Sequence, residues 1–205
     1  VRRYGDRMMI LTDVGEVGVH VGERVHILRP SLYAMSQLGE PREIVELFAA
    51  VMGEAPSLVD ALAVVLACSD EDLSDLFGCV LAEGEKLTYE PGHVEAEAVV
   101  LLARCLLKHG ITGSLPELPR PADQEPEYVQ EFDARAHVSM AMAHLGVSER
   151  DAWQMTMTGL VGALRAKFPP SQNDSPGAKA PSKAEMEEAL AWHDRVLLRQ
   201  SSRHN

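Results

Sequence analysis

The chain has 205 residues, 46% hydrophobic and 24% charged, and a formal net charge of −12. That balance gives a folded domain with appendages and enough apolar side chain to bury a core. It excludes a protein coated with phosphate-binding groups, since such binding needs Lys and Arg in excess. The acid is concentrated in the middle. Residues 31–133 hold twenty acidic and five basic groups, against four and five in 1–30 and seven and nine in 134–205. An acidic surface of this kind favours solubility or a protein partner over DNA or RNA.

The three cysteines, Cys68, Cys79 and Cys105, are too few and too widely spaced for a disulfide framework and fit a reducing compartment. No apolar run reaches the roughly 18–20 residues of a membrane span. The charged start, Val1 to Arg7, leads only to the brief apolar stretch Met8 to Leu11, shorter than a secretory signal requires. The expectation is a soluble, cytoplasmic protein with no membrane contact.

Residues 1–30 read as a small antiparallel β element. Met8–Leu11, Val17–Val21 and Val25–Leu28 alternate between glycine-bearing turns. A lone hairpin is marginal in water, so these strands must pack on helices or pair with another chain, which leaves a homo-oligomer open. Residues 31–112 read as an acidic helical body. Pro41 opens a helix that runs to Gly53. Ser57 and Asp60 cap a nearly all-apolar helix from Leu58 to Cys68, the expected centre of the core. Ser69 to Asp72 begin a short helix ending near Gly78, and a longer one spans His93 to His109.

Residues 113–126, with four prolines, read as a loop. Residues 127–168 form a helical unit: one helix from Glu127 to Leu145 stopped by Gly146, a short one from Ser148 to Met155, and a last one opened by Thr156 or Thr158. The Pro- and Ser-rich stretch 169–181 has the composition of a tether. Ser182 and Glu185 then provide a capping box for an amphipathic helix over 182–200. The fold class is thus mainly α with a small N-terminal sheet (α+β), a helical body and a tethered C-terminal helix.

Few residues suggest chemistry. His137 and His144 lie two helical turns apart, about 10 Å of rise, too far to share an ion. No CxxC, HExxH or clustered Cys/His spacing supports a metal, and no glycine-rich phosphate loop occurs. Asp70, Glu71, Asp72 and Asp75 lack the alternation and central glycine of a calcium loop. No catalytic residue, cofactor or metal ligand is nominated. A helix-turn-helix over 148–168 is the alternative, a regulatory protein binding DNA. Its second helix, however, offers Arg165 and Lys167 only at its end, with Leu160, Val161, Leu164 and Phe168 turned to a core. The remaining candidate is the 182–200 helix. Met186, Leu190, Val196 and Leu197 lie on its apolar face and Trp192 beside it, a surface suited to covering a partner's apolar helix.

Two stretches together carry a resemblance. One is the glycine-punctuated start running into Arg29-Pro30-Ser31-Leu32 and Leu38-Gly39-Glu40-Pro41-Arg42-Glu43-Ile44-Val45. The other is Ala152-Trp153-Gln154-Met155-Thr156-Met157-Thr158-Gly159-Leu160, leading to Phe168-Pro169-Pro170 and later Ala191-Trp192-His193-Asp194. This layout resembles the tail assembly chaperones of long-tailed bacteriophages and prophages. The resemblance implies a non-catalytic protein of the host bacterial cytoplasm, absent from the finished virion. It also implies that the chain binds the tape measure protein, keeps it soluble and helps recruit the tail tube protein.

Overall fold

The computed structural model describes residues 9–84, 86–115 and 130–169. All of them belong to one compact unit, residues 1–116 and 125–169; the second unit, 117–124 with 170–205, lies outside the described residues. The expected tether at 169–181 (beyond Pro169) and the 182–200 helix therefore fall outside the description, as does the proline-rich loop beyond Leu115. Among the described residues, no helix is long and apolar enough to cross a membrane.

Three strands open the unit: β1 (Met9–Leu11), β2 (Val17–Val21) and β3 (Arg24–Leu28), antiparallel in that order. The pairing of Val17 with Leu28 and Val19 with His26 puts alternate side chains on one face. Val17, Val19 and Leu28 are buried there, while Val25 and Ile27 on the other face are exposed.

The helical body follows as α1 (Leu32–Ser36), α2 (Pro41–Met52), α3 (Leu58–Ala67), α4 (Ser74–Phe77) and α5 (Ala96–Leu107). Pro41 sits in the first turn of α2, and Glu40 and Glu43 form a reciprocal capping box. Arg104 from α5 closes the other end of α2, donating from Nε to the Val51 carbonyl at 2.9 Å and from Nη2 to that of Gly53 at 2.6 Å. Ser57 caps α3 through Asp60 N–H, and α3 packs chiefly against α5. Leu62, Val64 and Val65 meet Val99, Leu102 and Leu106 in the core, each burial stabilising by about 1.5–3 kcal/mol. The all-apolar segment is the buried centre, as its composition predicts.

Three expectations are corrected. The helix expected from Ser69 starts only at Ser74, because local side chains capture the backbone first. Ser69 Oγ accepts from Glu71 N–H at 3.0 Å, and Asp72 Oδ1 from Ser74 N–H at 3.0 Å. Residues 31–112 are not wholly helical: β4 (Cys79–Glu83) and β5 (Lys86–Glu90) form an antiparallel hairpin. The helix expected from Glu127 starts at Ala134, since Asp133 caps it through Ala136 N–H. The preceding Phe132 is buried, its N–H donating to the Pro41 carbonyl.

The hairpin is pinned at its base by two glycines. Gly78 has φ +98°, and an added Cβ there would lie 2.3 Å from the Glu90 carbonyl oxygen; at Gly92 it would lie 2.4 Å from Gly78 N. Both obstacles are backbone, so neither yields cheaply.

Past α5 the helix widens into a π turn over Lys108–Thr112. The last elements are α6 (Ala134–Leu145), stopped by Gly146 at φ +71°, α7 (Glu149–Gln154) and α8 (Met157–Lys167). Residues 134–167 thus carry three helices, and Thr156 rather than Thr158 caps the last. Phe168 is also corrected: it is exposed, with its ring edge-to-face on His144.

Gly92→Ala is expected to lower stability by about 2 kcal/mol or more, seen as a lower urea midpoint with α-helical circular dichroism retained at zero denaturant. An unchanged midpoint would mean that the hairpin base is not close-packed.

Candidate functional site

The residues nominated from sequence for partner binding, Met186, Leu190, Trp192, Val196 and Leu197, lie outside the described residues. Among the described residues, no group of three or more His, Cys, Asp or Glu side chains is placed to hold a metal ion. Three histidines are held by acceptors within the unit: His26 Nδ1 meets Glu71 Oε2 at 2.8 Å, His93 Nδ1 the Asp75 carbonyl at 2.6 Å, and His137 Nδ1 the Asp133 carbonyl at 2.7 Å. Cys68 is buried, and loss of water pushes its thiol far above the ordinary range, away from the reactive thiolate. Burial raises half-buried Cys105 too, against a smaller opposing pull from Lys108.

The part of the chain that assembles a site is 152–160. Buried Ala152 anchors α7. After it the backbone extends through Met155 and Thr156, and there it meets the start of α1. Leu32 N–H donates to the Met155 carbonyl at 2.8 Å, and Ser31 forms an antiparallel bridge with Thr156. The Thr156 hydroxyl has two tasks. It accepts from Gly159 N–H at 3.0 Å, capping α8, and donates to the Val14 carbonyl in the turn between β1 and β2. Thr158, in the first turn of α8, accepts from Ser114 N–H at 2.9 Å and lies 2.9 Å from His109 Nδ1.

Ser31, His109, Thr156 and Thr158 are the buried polar residues of the described unit, and all four meet at this junction. Among the described residues, no buried side-chain polar atom lacks a partner. Gly15 closes the junction from the sheet side: an added Cβ would lie 2.5 Å from His109 Cβ, and its φ is +89°. Sequence reading found Thr156 as a helix cap but missed Ser31 and His109, whose role depends on contacts across 49 to 125 residues of chain.

Above the junction the surface opens. Ser31 precedes Tyr33 by two residues, and Thr156 follows Trp153 by three, so the bridge sets the two rings side by side. Their centroids are 6.4 Å apart and their planes at 89°, an edge-to-face pair. Tyr33 is 52% exposed. A hollow of about 480 Å³ beside them is lined by Tyr33, Ser36, Gln37, Arg150, Trp153 and Gln154. It continues into a second, of about 360 Å³, which shares Tyr33, Gln37 and Gln154 and reaches Ile27, Arg29 and Cys68. Arg135 lies over the Trp153 ring at 6.0 Å, and the indole N–H donates to Glu149 Oε1 at 3.4 Å. Arg29 donates to Glu16 Oε1 at 2.5 Å and to Gln154 Oε1 at 3.2 Å.

Residues 54–188, more than half of the chain, match the model of a family of unknown function, DUF6246. The chain belongs to DUF6246. The match takes in α3 through α8, so the Trp153 wall of the groove lies within it and the Tyr33 wall before it. No curated protein and no solved structure matches this DUF6246 chain.

Burial, and then the neighbouring Lys108 charge, hold His109 below the ordinary imidazole range. A lowered folded value means that the unfolded chain takes up the proton first. The neutral ring's contribution is complete above the unfolded pKa of about 6.5 and is lost as pH falls toward the folded value. The DUF6246 unit should therefore lose thermal stability as pH falls below about 6.5, and His109→Gln should flatten that decline. Parallel melting curves for the two proteins across this range would refute the assignment.

Proposed function

We propose that this chain is a tail assembly chaperone of a long-tailed bacteriophage or prophage. It binds the tape measure protein and keeps it soluble in the host cytoplasm while tail tube subunits are recruited. One observation carries the reading. The stretch that bears the resemblance, Ala152 to Leu160, is the stretch that builds the aromatic groove: Trp153 forms its wall, Met155 and Thr156 fix it to α1, and Thr158 ties α8 to the π turn. A sequence signature whose aromatic residue lines an open groove, while its threonines brace that groove from below, supports recognition of another protein.

The physical need is general. A long helical protein exposes apolar stripes before assembly and associates wrongly unless they are covered. Tyr, Trp and Arg, the side chains that form this groove, also dominate binding energy at protein interfaces. The apolar pattern of 182–200 gives a second covering surface under the same reading. The DNA-binding alternative through 148–168 has less in its favour. Lys167 Nζ donates to the His144 carbonyl, and Leu160 is buried, so α8 is a packed helix of the unit.

Co-expression with the tape measure protein tests the proposal. The soluble fraction of the tape measure protein should rise several-fold, and Tyr33→Ser, a change at a half-exposed position, should cut that gain while leaving the chaperone folded. A tape measure protein that stays insoluble beside a well-folded partner would refute the reading.

A further inference from the structure

The groove combines an aromatic pair with positive charge, on a protein whose net charge is −12. Three arginines surround the rings and come from three separate elements: Arg29 after β3, Arg135 on α6 and Arg150 on α7. Arg29 has an acidic partner in Glu16. Among the described residues, Arg135 and Arg150 lie within salt-bridge distance of no carboxylate. Arg135 lies over an aromatic face, and Arg150 is the one charged side chain among the described residues that line the larger hollow. Carboxylates stand nearby and keep their charge, but none lines the larger hollow: Glu149 accepts the Trp153 indole N–H, Asp151 accepts from Ser148, Asp133 caps α6, Glu16 holds Arg29, and Asp70 lines the smaller hollow.

From this juxtaposition we infer that the groove docks an acidic segment of a partner protein. A bulky apolar side chain of that segment enters the hollow beside Tyr33 and Trp153, and its flanking carboxylates pair with Arg150 and Arg135. The inference rests on the reading of the groove as a docking surface and adds the chemistry of the occupant. The larger hollow, about 480 Å³, is of the size that binding pockets use for a few buried side-chain or ligand groups. Charges screen over about 8–10 Å at ordinary ionic strength. A short acidic segment therefore meets mainly the local arginines and little of the acidic body, whereas a polyphosphate chain runs out over that body and is repelled. The rings point the same way. Tyr33 and Trp153 stand edge-to-face with Arg135 over the indole, an arrangement that offers no pair of parallel faces for successive bases.

Fluorescence anisotropy on the full chain tests this with three labelled probes. Two are short peptides with one Leu-Phe-Leu centre, flanked by Glu in the first and by Lys in the second; the third is a single-stranded oligothymidylate. The Glu peptide should bind, more weakly as salt rises, and Arg150→Glu should reduce its affinity about fivefold or more with circular dichroism unchanged. Tyr33→Ser should weaken both peptides. Equal binding of the Glu and Lys peptides, or indifference of the Glu peptide to Arg150→Glu, would overturn the acidic assignment and leave the docking surface standing. Binding of neither peptide would overturn the docking surface as well, and tighter binding of the oligonucleotide would replace both with a nucleic-acid site.

Discussion

The short extended link at Met155 and Thr156 holds the described unit together at the point where its distant parts meet. One hydroxyl, that of Thr156, joins the turn after β1 to the cap of α8, and the backbone bridge of the same residue to Ser31 adds the start of α1. Each such hydrogen bond contributes only about 1 kcal/mol net, but leaving a buried partner unmade costs about 1–3 kcal/mol. The junction therefore selects one arrangement rather than supplying bulk stability. The bulk comes from α3 against α5, whose apolar faces need no particular partner to be buried. Without the junction the core still has reason to collapse, but α1 and α7 lose the constraint that aligns Tyr33 with Trp153.

The distribution of charge follows the same division. The twenty acidic groups of residues 31–133 belong mainly to the helical body. Arg29 stands three residues before α1, and Arg135 and Arg150 lie on α6 and α7, both of which pack against α1. A chain that reads as acidic overall thus carries a local cluster of guanidinium groups that no average over the sequence reveals. The helices that present them are short and individually marginal. Residues 134–167 depend on caps at Asp133, Ser148 and Thr156 and on packing against α1.

The legible parts of the sequence were those fixed by local rules. Alternation located β2 and β3, Pro41 and Gly53 bounded α2, Ser57 opened α3, and Gly146 closed α6. The β4–β5 hairpin was missed because Cys79-Val80-Leu81-Ala82 is as good a helical segment as a strand. What decides it is Gly78 against Gly92, a backbone contact between residues fourteen apart. The starts at Ser74 and Ala134 were set by Asp72 and Asp133 taking backbone N–H groups, where several nearby residues compete for the same cap. Trp153 and Thr156 stood out in the sequence, but the groove did not. Its other wall is Tyr33, in a five-residue helix with no periodicity of its own, and nothing local to either segment announces that they touch.

An arginine on an open face contributes little to binding, because water screens it and its long side chain must be immobilised to make a contact. Arg135 is already laid over the indole, and the Trp153 N–H is already directed to Glu149, so part of that ordering is complete before any partner arrives. When a ligand side chain excludes water from the hollow, the same guanidinium acts in a lower dielectric, where its pairing with a carboxylate is stronger. The aromatic pair supplies the exclusion and the arginines supply the discrimination, and both depend on a bridge between two buried backbone segments that lie 125 residues apart.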